Sequence, residues 1–478
     1  MLDFLNEVID AASRHAPYAD ARHVRTRFQA LGLRNGALAS MDDHEEEGIG
    51  VRVQLGGAWG FAAARGSDRA AGEDALRRAL ALAEAQPGRP QRALAPEPPA
   101  RGSFSSPMQI DPFAVSLEDK LALLTEADSL LRAQSRVSVA SSQLTAKVEE
   151  KSFASTEGAS CEQRLTQCGG GIEAIAVDGA GTQVRSYPGS HSGHVAQAGY
   201  EHVLALDLPG NAPRVAAEAV ALLDAPRCPD SPTTLVLAGE QLALQIHESV
   251  GHAVELDRVL GSEASYAGTS FVPVDGAGSL RYGSQHMGVT ADATLPGGVG
   301  SFCWDDEGVG AQAIPIVREG VLRGFLSSRE GAAGLGLPRS GGCMRAEGFA
   351  RQPIVRMTNV SLDPGQAGSL EELIASTDEG ILIETNRSWS IDSKRLHFQF
   401  AGEAAWEITG GRLGRMLRDP VYAGSSPEFW ASLDAVCSQA EWRMASVTNC
   451  GKGEPGQIAS VSHGCAPARF RGVQIGSG

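Results

Sequence analysis

The segment P-R-C-P-D-S-P at residues 226–232 constrains the fold of this chain more than any other stretch. Its three prolines within seven residues end any helix or central strand, because proline lacks a backbone N–H and has a fixed φ angle. The chain has 478 residues, which is too many for one simple core. We therefore predict an N-terminal domain over residues 1–228 and a C-terminal domain over residues 229–478.

The two predicted domains differ in their hydrophobic patterns. In the first, residues 136 to about 207 alternate between apolar and polar with a period of two, which predicts an antiparallel sheet. Helical spacing of apolar residues occurs in the same domain at residues 2–15, 67–86, 116–134 and 211–224. After residue 268, glycine and β-forming residues dominate and long helical patterns are few. The predicted fold class is α+β, with an N-terminal α/β domain of antiparallel sheet and helices and a C-terminal, mainly antiparallel β domain.

Three shorter segments carry local predictions. The acidic run D-D-H-E-E-E at residues 42–47 is predicted to be the charged tip of a hairpin. Residues 87–107, rich in proline, arginine and alanine, are predicted to form an exposed connector. The sequence H-S-G-H at residues 191–194 is a possible metal-binding pair, but no acidic residue lies nearby and we predict a solvated loop.

The sequence Q-I-H-E-S-V-G-H-A-V-E-L at residues 245–256 places His247, Glu248 and His252 in an apolar segment. Two histidines beside a glutamate suggest zinc hydrolysis, but these histidines are five residues apart rather than the usual four. On a regular α-helix, five residues separate two side chains by about 140°, and four by about 40°. A π-type turn would realign the rings, and Gly251 would let the backbone distort. The alternative is two ordinary helix histidines, one buried and hydrogen-bonded and the other exposed.

A catalytic zinc site also needs a third protein ligand and an open position for water. Glu255 is near in sequence, but it more naturally accepts a hydrogen bond from a histidine N–H. The segments N-C-G-K-G-E-P-G-Q at 449–457 and S-H-G-C at 462–465 offer Cys450, His463 and Cys465. Lys452 is expected to lower the pKa of the Cys450 thiol and so favour the thiolate. The residues alone leave the third ligand open.

Charge and composition exclude several classes of function. The formal net charge is −16 and the isoelectric point is about 5.2, so a nucleic acid is not expected to be a partner. No run of apolar residues is long enough for a transmembrane helix, and the N-terminus does not resemble a signal peptide. None of the eight cysteines forms a C-x-x-C pair. We expect a cytoplasmic protein with reduced thiols and no membrane partner.

Four blocks of sequence together resemble the TldD/PmbA family of metallopeptidases, and specifically its TldD-like members. They are G-I-G-V-R-V-Q-L-G-G-A-W-G-F-A at 48–62, H-E-S-V-G-H-A-V-E-L-D at 247–257, R-M-T-N-V at 356–360 and N-C-G-K-G-E-P-G-Q at 449–457. The blocks occur in the family's order, and the resemblance covers nearly the whole chain. The second block is similar to the family's modified zinc-binding helix, and the fourth is similar to its cysteine loop.

The resemblance implies a Zn²⁺ site formed by His247, His252 and Cys450, carried by a helix of the C-terminal domain, with Glu248 as the catalytic acid and base. It implies a peptidase acting on short or unfolded peptides inside a closed two-subunit shell. The second subunit would be a PmbA-like paralogue, giving a heterodimer, or a second copy, giving a homodimer. Because PmbA-like chains lack the zinc motif, this chain would be the active subunit. The extra thiol in S-H-G-C leaves open which cysteine binds metal.

The mechanism expected from these residues is hydrolysis of a peptide bond by metal-activated water, with Glu248 as the general base. Arg356 and Asn359 are candidate contacts to the peptide backbone or terminus, and His463 could stabilise an oxyanion or orient the cysteine loop. Three alternatives compete with this prediction. They are a zinc amidase acting on small molecules, a non-catalytic peptide-binding or scaffold subunit whose structural zinc has a fourth ligand, and a Cys450 nucleophile assisted by His463.

Overall fold

The computed structural model describes residues 1–86, 92–179, 181–191 and 193–477. In the N-terminal half, eight strands form one sheet in the order β3-β2-β1-β5-β6-β4, with β7 and β8 also paired to β6. Every pairing is antiparallel except that of β4 with β6. The strands are β1 (Tyr18–Arg34), β2 (Ala37–Leu55), β3 (Ala58–Arg65), β4 (Arg101–Ser105), β5 (Val137–Ser155), β6 (Ser160–Asp178), β7 (Gly181–Tyr187) and β8 (His194–Ala196).

Helices cover one face of this sheet. On β5, Leu144 and Ala146 point into a core shared with α3 and α5, as period-two alternation requires. Each helix coincides with a predicted helical segment except α4. Helix α4 lies at the end of the region in which period-two alternation predicts strands. The hydroxyl of Ser116 accepts a hydrogen bond from the N–H of Asp119 and begins α3 as its N-cap. The helices are α1 (Leu2–Ala12), α2 (Arg69–Glu84), α3 (Leu117–Leu131), α4 (Tyr200–Leu206) and α5 (Leu208–Asp224).

The predicted hairpin tip at residues 42–47 is wrong. These residues lie in the middle of β2, and the turn is instead at Asn35 and Gly36, whose φ angles are +52° and +79°. The charged residues are tolerated in a strand because this part of β2 is mostly exposed and lies beyond the end of β3, which pairs only with residues 48–55. The predicted connector includes residues 87–91, which lie outside the described residues. Farther along, it contains β4, so part of it belongs to the sheet.

The C-terminal half is organised around a nine-stranded sheet in the order β17-β18-β21-β25-β9-β16-β19-β20, with β22 paired to β25. The pairing of β9 with β16 is parallel, and the others are antiparallel. The nine strands are β9 (Ser231–Leu237), β16 (Glu379–Ile383), β17 (Asn386–Ile391), β18 (His397–Gly402), β19 (Ala405–Thr409), β20 (Arg412–Leu417), β21 (Pro420–Ser425), β22 (Leu433–Val436) and β25 (Ala468–Ser477).

Three small sheets and five short helices complete this half. The small-sheet strands are β10 (Val289–Asp292), β11 (Ala313–Arg318), β12 (Val321–Leu322), β13 (Met344–Arg345), β14 (Ile354–Val355), β15 (Val360–Leu362), β23 (Arg443–Lys452) and β24 (Gln457–Cys465). The helices are α6 (Gly239–Ile246), α7 (Leu256–Val259), α8 (Arg329–Gly334), α9 (Leu370–Ala375) and α10 (Ser426–Ala431). The α+β fold class, with antiparallel sheets in both halves, is confirmed.

The largest hydrophobic core lies in the C-terminal half and surrounds α6, where every residue from Gln241 to Ile246 is buried. Pro232 is the second residue of β9, so the proline-rich segment leads directly into the central part of the large sheet. The division of the chain into domains at residue 228 stays a prediction. Among the described residues, no helix combines the length and apolar character that crossing a membrane requires.

Candidate metal centre

The buried helix α6 continues into a π-helical turn over His247–Gly251 and then a 3₁₀ turn over His252–Val254. The backbone N–H of His252 donates to the carbonyl of His247, five residues earlier, which is the hydrogen bond that defines a π-turn. The extra residue in the turn places the two imidazoles side by side, with ring centroids 4.8 Å apart. The predicted irregularity is confirmed, and it solves the spacing problem that the sequence raised.

Gly251 is required at the π-turn for space rather than for backbone freedom. Its φ angle is −52°, which any residue can adopt. A Cβ atom at this position would lie 2.1 Å from the sulfur of Met357, well inside van der Waals contact. The expectation that glycine lets the backbone distort is therefore replaced by a packing requirement.

The hairpin of β23 and β24 brings Cys450 to the two histidines. The register of the hairpin shifts between Val447 and Cys450, and the Cys450 sulfur lies 3.5 Å from Nε2 of His252. One donor atom from each of His247, His252 and Cys450 lies within 4.8 Å of the others. All three side chains are buried, and no other such group of three occurs in the part of the chain that the structure describes.

A charged network holds His252. Its Nδ1 is 3.0 Å from a carboxylate oxygen of Glu255, which confirms the expectation that Glu255 supports a histidine rather than a metal. The same oxygen lies 3.3 Å from the ammonium of Lys452 and 3.5 Å from the guanidinium of Arg258. Burial alone would raise the pKa of Glu255, but Lys452, His252 and Arg258 hold it well below its usual value. Glu255 is therefore a carboxylate that fixes the ring of His252.

A neutral chain of hydrogen bonds holds His247. Nδ1 of His463 is 2.6 Å from the carbonyl oxygen of Val360, and Nε2 of His463 is 2.7 Å from Nδ1 of His247. A carbonyl can only accept, so Nδ1 of His463 carries a proton. Burial and the nearby His247 hold the pKa of His463 well below its usual value, so the ring is neutral and its Nε2 accepts. Nδ1 of His247 must then donate, which leaves its Nε2 with a free lone pair.

The surroundings of Cys450 lower the pKa of its thiol. Burial raises its pKa, but the adjacent His252 and the guanidinium of Arg356 lower it by more, so the net shift is downward. The direction agrees with the sequence prediction, but the cause differs. Lys452, which was expected to act on the thiol, is bound to Asp257 at 2.8 Å and to Glu255.

The cluster opens onto a cavity of about 390 Å³, which we call the metal cavity. Glu248, next to His247 in sequence, lies on its wall and accepts a hydrogen bond from Arg395. Arg395 has a positive φ angle of +62° in the turn after β17. No feature of the sequence singled out Arg395, because its partner lies 147 residues away. The cavity is lined by Ser190, His191, Glu240, Leu244, His247, Glu248, His252, Asn386, Trp389, Ser390, Ile391, Arg395 and residues 446–451.

The other predicted site residues lie close to the cluster but outside the lining of the metal cavity. Arg356 donates to the backbone carbonyls of Cys450 and, at 3.0 Å, of Gln457, and so holds the hairpin in place. Asn359 donates to the carbonyl of Asp292 and accepts from a backbone N–H. These contacts are structural, and a contact of either residue with a peptide stays a prediction.

The second thiol of the hairpin, Cys465, is not part of the cluster. Its sulfur is 3.5 Å from the carbonyl of Gly239, and burial raises its pKa to about 12. A buried thiol with a raised pKa is a poor metal ligand because the thiolate is the ligating form. Cys450 is therefore the cysteine that the fold brings to the histidines.

The three donors fit a borderline-soft divalent metal. Two imidazoles and a thiolate favour zinc over magnesium or calcium, which prefer oxygen ligands. Each histidine is oriented through its Nδ1, as is usual for histidines that ligate metals. Three protein donors on the wall of a cavity also leave room for a non-protein ligand.

Profiles of one protein family match three parts of the chain. Domain 1 of the PmbA/TldA metallopeptidases matches residues 19–85, the central domain matches 110–224 and the C-terminal domain matches 214–477. A metalloprotease of Methanothermobacter thermautotrophicus is 28% identical over 99% of this chain and 98% of its own length. A zinc metalloprotease TldD homolog of Saccharolobus solfataricus is 25% identical over 51% of each chain.

The fold is also that of a solved structure. TldE from Thermococcus kodakarensis superimposes with a TM-score of 0.73 over 99% of both chains, at 14% sequence identity. At that identity, the similarity establishes the fold.

Proposed function

The chain belongs to the PmbA/TldA metallopeptidase family, and on this premise we propose that it is a zinc-dependent peptidase that hydrolyses short or unfolded peptides. The observation that carries the proposal is the convergence of His247, His252 and Cys450 on one point beside Glu248, at the wall of an open cavity. A buried cluster of this kind, with each histidine oriented by its own partner, is typical of a working metal site.

His247, His252 and Cys450 would hold the ion. When bound there, zinc would supply Lewis acidity toward water and toward the carbonyl of the scissile bond. The thiolate donates more charge than a carboxylate would, so this Lewis acidity would be weaker than in a site with two histidines and a glutamate.

Glu248 would move the proton in this reaction. Its carboxylate takes a proton from the attacking water and delivers it to the leaving amine. Arg395, which donates to Oε2 of Glu248, orients the carboxylate toward the cavity. Glu248 itself is an unsuitable ligand for the same ion because it follows His247 directly.

The form of the metal cavity favours an extended peptide as the substrate. Strand β17 is an edge strand of the large sheet and pairs only with β18. Four of its residues, Asn386, Trp389, Ser390 and Ile391, line the metal cavity. An extended peptide could pair with the open edge of β17 through backbone hydrogen bonds, which would make binding tolerant of sequence.

The geometry favours this proposal over the alternatives. A structural zinc would require a fourth ligand, but His463 and Cys465 are both engaged elsewhere. A Cys450 nucleophile assisted by His463 is disfavoured because the thiol contacts His252 instead. A small-molecule amidase would not need the open strand edge. Assembly with a PmbA-like paralogue or with a second copy stays a prediction, which light scattering of the purified chain with and without the paralogue would test.

The proposed function is tested by cleavage of an unstructured peptide under three treatments. We expect a chelator to abolish cleavage and added zinc to restore it. Alkylation of thiols in the metal-free enzyme should prevent added zinc from restoring cleavage, whereas the zinc-loaded enzyme should stay active because the metal protects Cys450. Full activity in the presence of the chelator, with inactivation by alkylation alone, would contradict the proposal and favour a cysteine nucleophile.

A further inference from the structure

A second cavity, of about 440 Å³, lies between the long N-terminal sheet and the hairpin of β23 and β24. We call it the sheet cavity. Its floor is the face of β1, β2, β5 and β6 that points away from helices α3 and α5. On β5, the residues facing it are Thr145, Lys147, Glu149 and Lys151, which alternate with the core residues. Its size is within the range of ligand-binding pockets.

Four charged groups of the sheet cavity, Lys147, Glu149, Lys151 and Asp306, are paired with one another. The ammonium of Lys151 is 2.8 Å from Asp306 and 3.2 Å from Glu149, and Lys147 is also 3.2 Å from Glu149. Arg345 donates to two backbone carbonyls. These groups therefore need no ionic partner from a ligand.

Apolar side chains supply the remaining surface. Six of them that are larger than alanine line the sheet cavity: Phe28, Leu165, Val195, Phe302, Trp304 and Ile458. Ile458 is 49% exposed, so part of this apolar surface faces solvent. An aromatic and aliphatic wall beside these paired charges is suited to apolar side chains on an uncharged backbone.

The sheet cavity adjoins the metal cavity. Thr448, in the bulge of β23 just before Cys450, lines both cavities. Val447 and Cys450 line only the metal cavity, whereas Ile458 and Ser460 of the partner strand line only the sheet cavity. A single two-stranded hairpin therefore separates the two spaces.

We propose that the sheet cavity binds apolar side chains of the same polypeptide whose scissile bond lies in the metal cavity. This inference rests on the proposed function and adds a substrate preference to it, namely long, unfolded chains with exposed aromatic or aliphatic residues. Each apolar side chain buried there would tighten binding by about tenfold or more. Binding energy from this remote segment would hold the chain while the reaction proceeds elsewhere. Peptides too short to pass the hairpin would gain nothing from it.

The test measures peptide binding to the zinc-loaded Glu248→Gln variant, which should not cleave the probe, by fluorescence anisotropy. One probe is an unstructured peptide of about twenty residues containing leucine and phenylalanine, which spans on the order of 60 Å when extended. The second is the same peptide with those residues replaced by serine, and the third is a fragment of about six residues. Thr145→Trp fills the sheet cavity, and Phe28→Ala removes part of its apolar wall without adding bulk. Ser138→Trp adds the same bulk as Thr145→Trp at an exposed position of the same strand.

We expect Thr145→Trp and Phe28→Ala to weaken binding of the long apolar peptide by about tenfold and leave the fragment unaffected. Two controls provide the comparison. Ser138→Trp should bind the long apolar peptide as tightly as the protein without a cavity substitution. The serine-substituted peptide should bind with the same affinity to all three variants. If Thr145→Trp does not fold, Phe28→Ala decides alone. Unchanged affinity of the long apolar peptide for the folded cavity variants, or equal loss for long and short probes, would overturn the inference. Cavity-dependent binding without any cleavage by the wild type would instead refute the proposed function, and with it the assignment of the bound chain as a substrate.

Discussion

Two pairs of histidines in this protein have ring centroids at nearly the same distance, but within the described part of the chain only one pair meets a third candidate metal donor, Cys450. The ring centroids of His247 and His252 are 4.8 Å apart, and those of His194 and His202 are 5.0 Å apart. In the second pair, Nδ1 of His194 and Nε2 of His202 are hydrogen-bonded to each other at 2.9 Å, so the two nitrogens that face each other cannot both offer a lone pair to one ion. In the first pair, both Nδ1 atoms are hydrogen-bonded to supporting side chains, and both Nε2 atoms face Cys450.

The difference shows that proximity of two imidazoles does not make a metal site. His463 contacts His247 as His202 contacts His194, and each hydrogen bond joins an Nε2 to an Nδ1. However, His463 is anchored to the carbonyl of Val360, which fixes its tautomer and directs the lone pair of His247 away from it. The contacts of the outer nitrogen therefore determine what the inner nitrogen can do.

The largest expected difference between the two pairs is in the loss of activity when the acidic residue next to each pair is substituted. Glu248→Gln should keep its zinc but lose about 10²–10⁴-fold in kcat, because the amide cannot accept the proton of the attacking water. Glu201→Gln, beside His202, should retain activity, since Glu201 accepts only from backbone N–H groups of a loop. Peptide cleavage and elemental analysis of the two variants check this prediction. Wild-type cleavage by Glu248→Gln would show that another group is the base.

The next effect separates the two supporting histidines. His463→Ala should weaken zinc affinity about 10–100-fold, because His247 loses the group that fixes its tautomer. His463→Gln should recover part of that loss, since its carbonyl oxygen can accept from His247. His202→Ala is the matched control and should leave zinc affinity unchanged. Competition with a chromogenic chelator measures all three, and equal affinities would mean that the relay through His463 is not needed.

The π-turn provides a smaller effect, on stability. Gly251→Ala should lower the free energy of unfolding by about 1–3 kcal/mol because the added methyl overlaps the sulfur of Met357. Combining it with Met357→Ala should cost less than the sum of the two single variants, because the added methyl no longer overlaps a side chain. Gly193, beside His194, has φ +69° and would place a Cβ 2.1 Å from the backbone oxygen of Gly170. Shortening a side chain cannot relieve that overlap, because it is with the backbone. Denaturant titration should therefore find no second substitution that offsets the stability lost in Gly193→Ala.

The smallest expected effect is a pH dependence of stability at the second pair. Burial and the neighbouring His202 lower the pKa of His194 to about 4, whereas an unfolded chain has a histidine pKa of about 6.5. The unfolded state therefore binds a proton first as the pH falls. The stability that neutral His194 provides is complete above about pH 6.5 and is lost progressively toward pH 4. Between pH 7 and 5, wild type should lose on the order of 1 kcal/mol more than His194→Gln. Parallel stability curves for the two proteins would contradict this assignment.

How much of the site the sequence could reveal depended on the distance along the chain. The π-turn followed from the spacing of His247 and His252, because helical geometry is local and leaves few alternatives. The role of Glu255 followed in the same way. Cys450 could be singled out only through the resemblance, because the residues left several thiols open and the closure of a hairpin 198 residues away is not encoded locally.

The parts that sequence reasoning missed depend on tertiary contacts. Arg395 meets Glu248 only after the large sheet has formed. His191 is exposed in a turn, as predicted, but it also packs edge-on against Trp389, with centroids 5.6 Å apart, and lines the metal cavity. The acidic run at residues 42–47 is predicted as a hairpin tip because its charges hide the alternation of a strand. It is a strand because it pairs with β1, and the local pattern does not contain that pairing.

The central claim, that the fold selects Cys450 as the third metal ligand, is tested most directly by the zinc content of matched cysteine variants. Elemental analysis of purified wild type, Cys450→Ala and Cys465→Ala compares two buried thiols of the same hairpin. We predict about one zinc per chain in wild type and in Cys465→Ala, and almost none in Cys450→Ala. Zinc retained by Cys450→Ala but lost from Cys465→Ala would contradict the account.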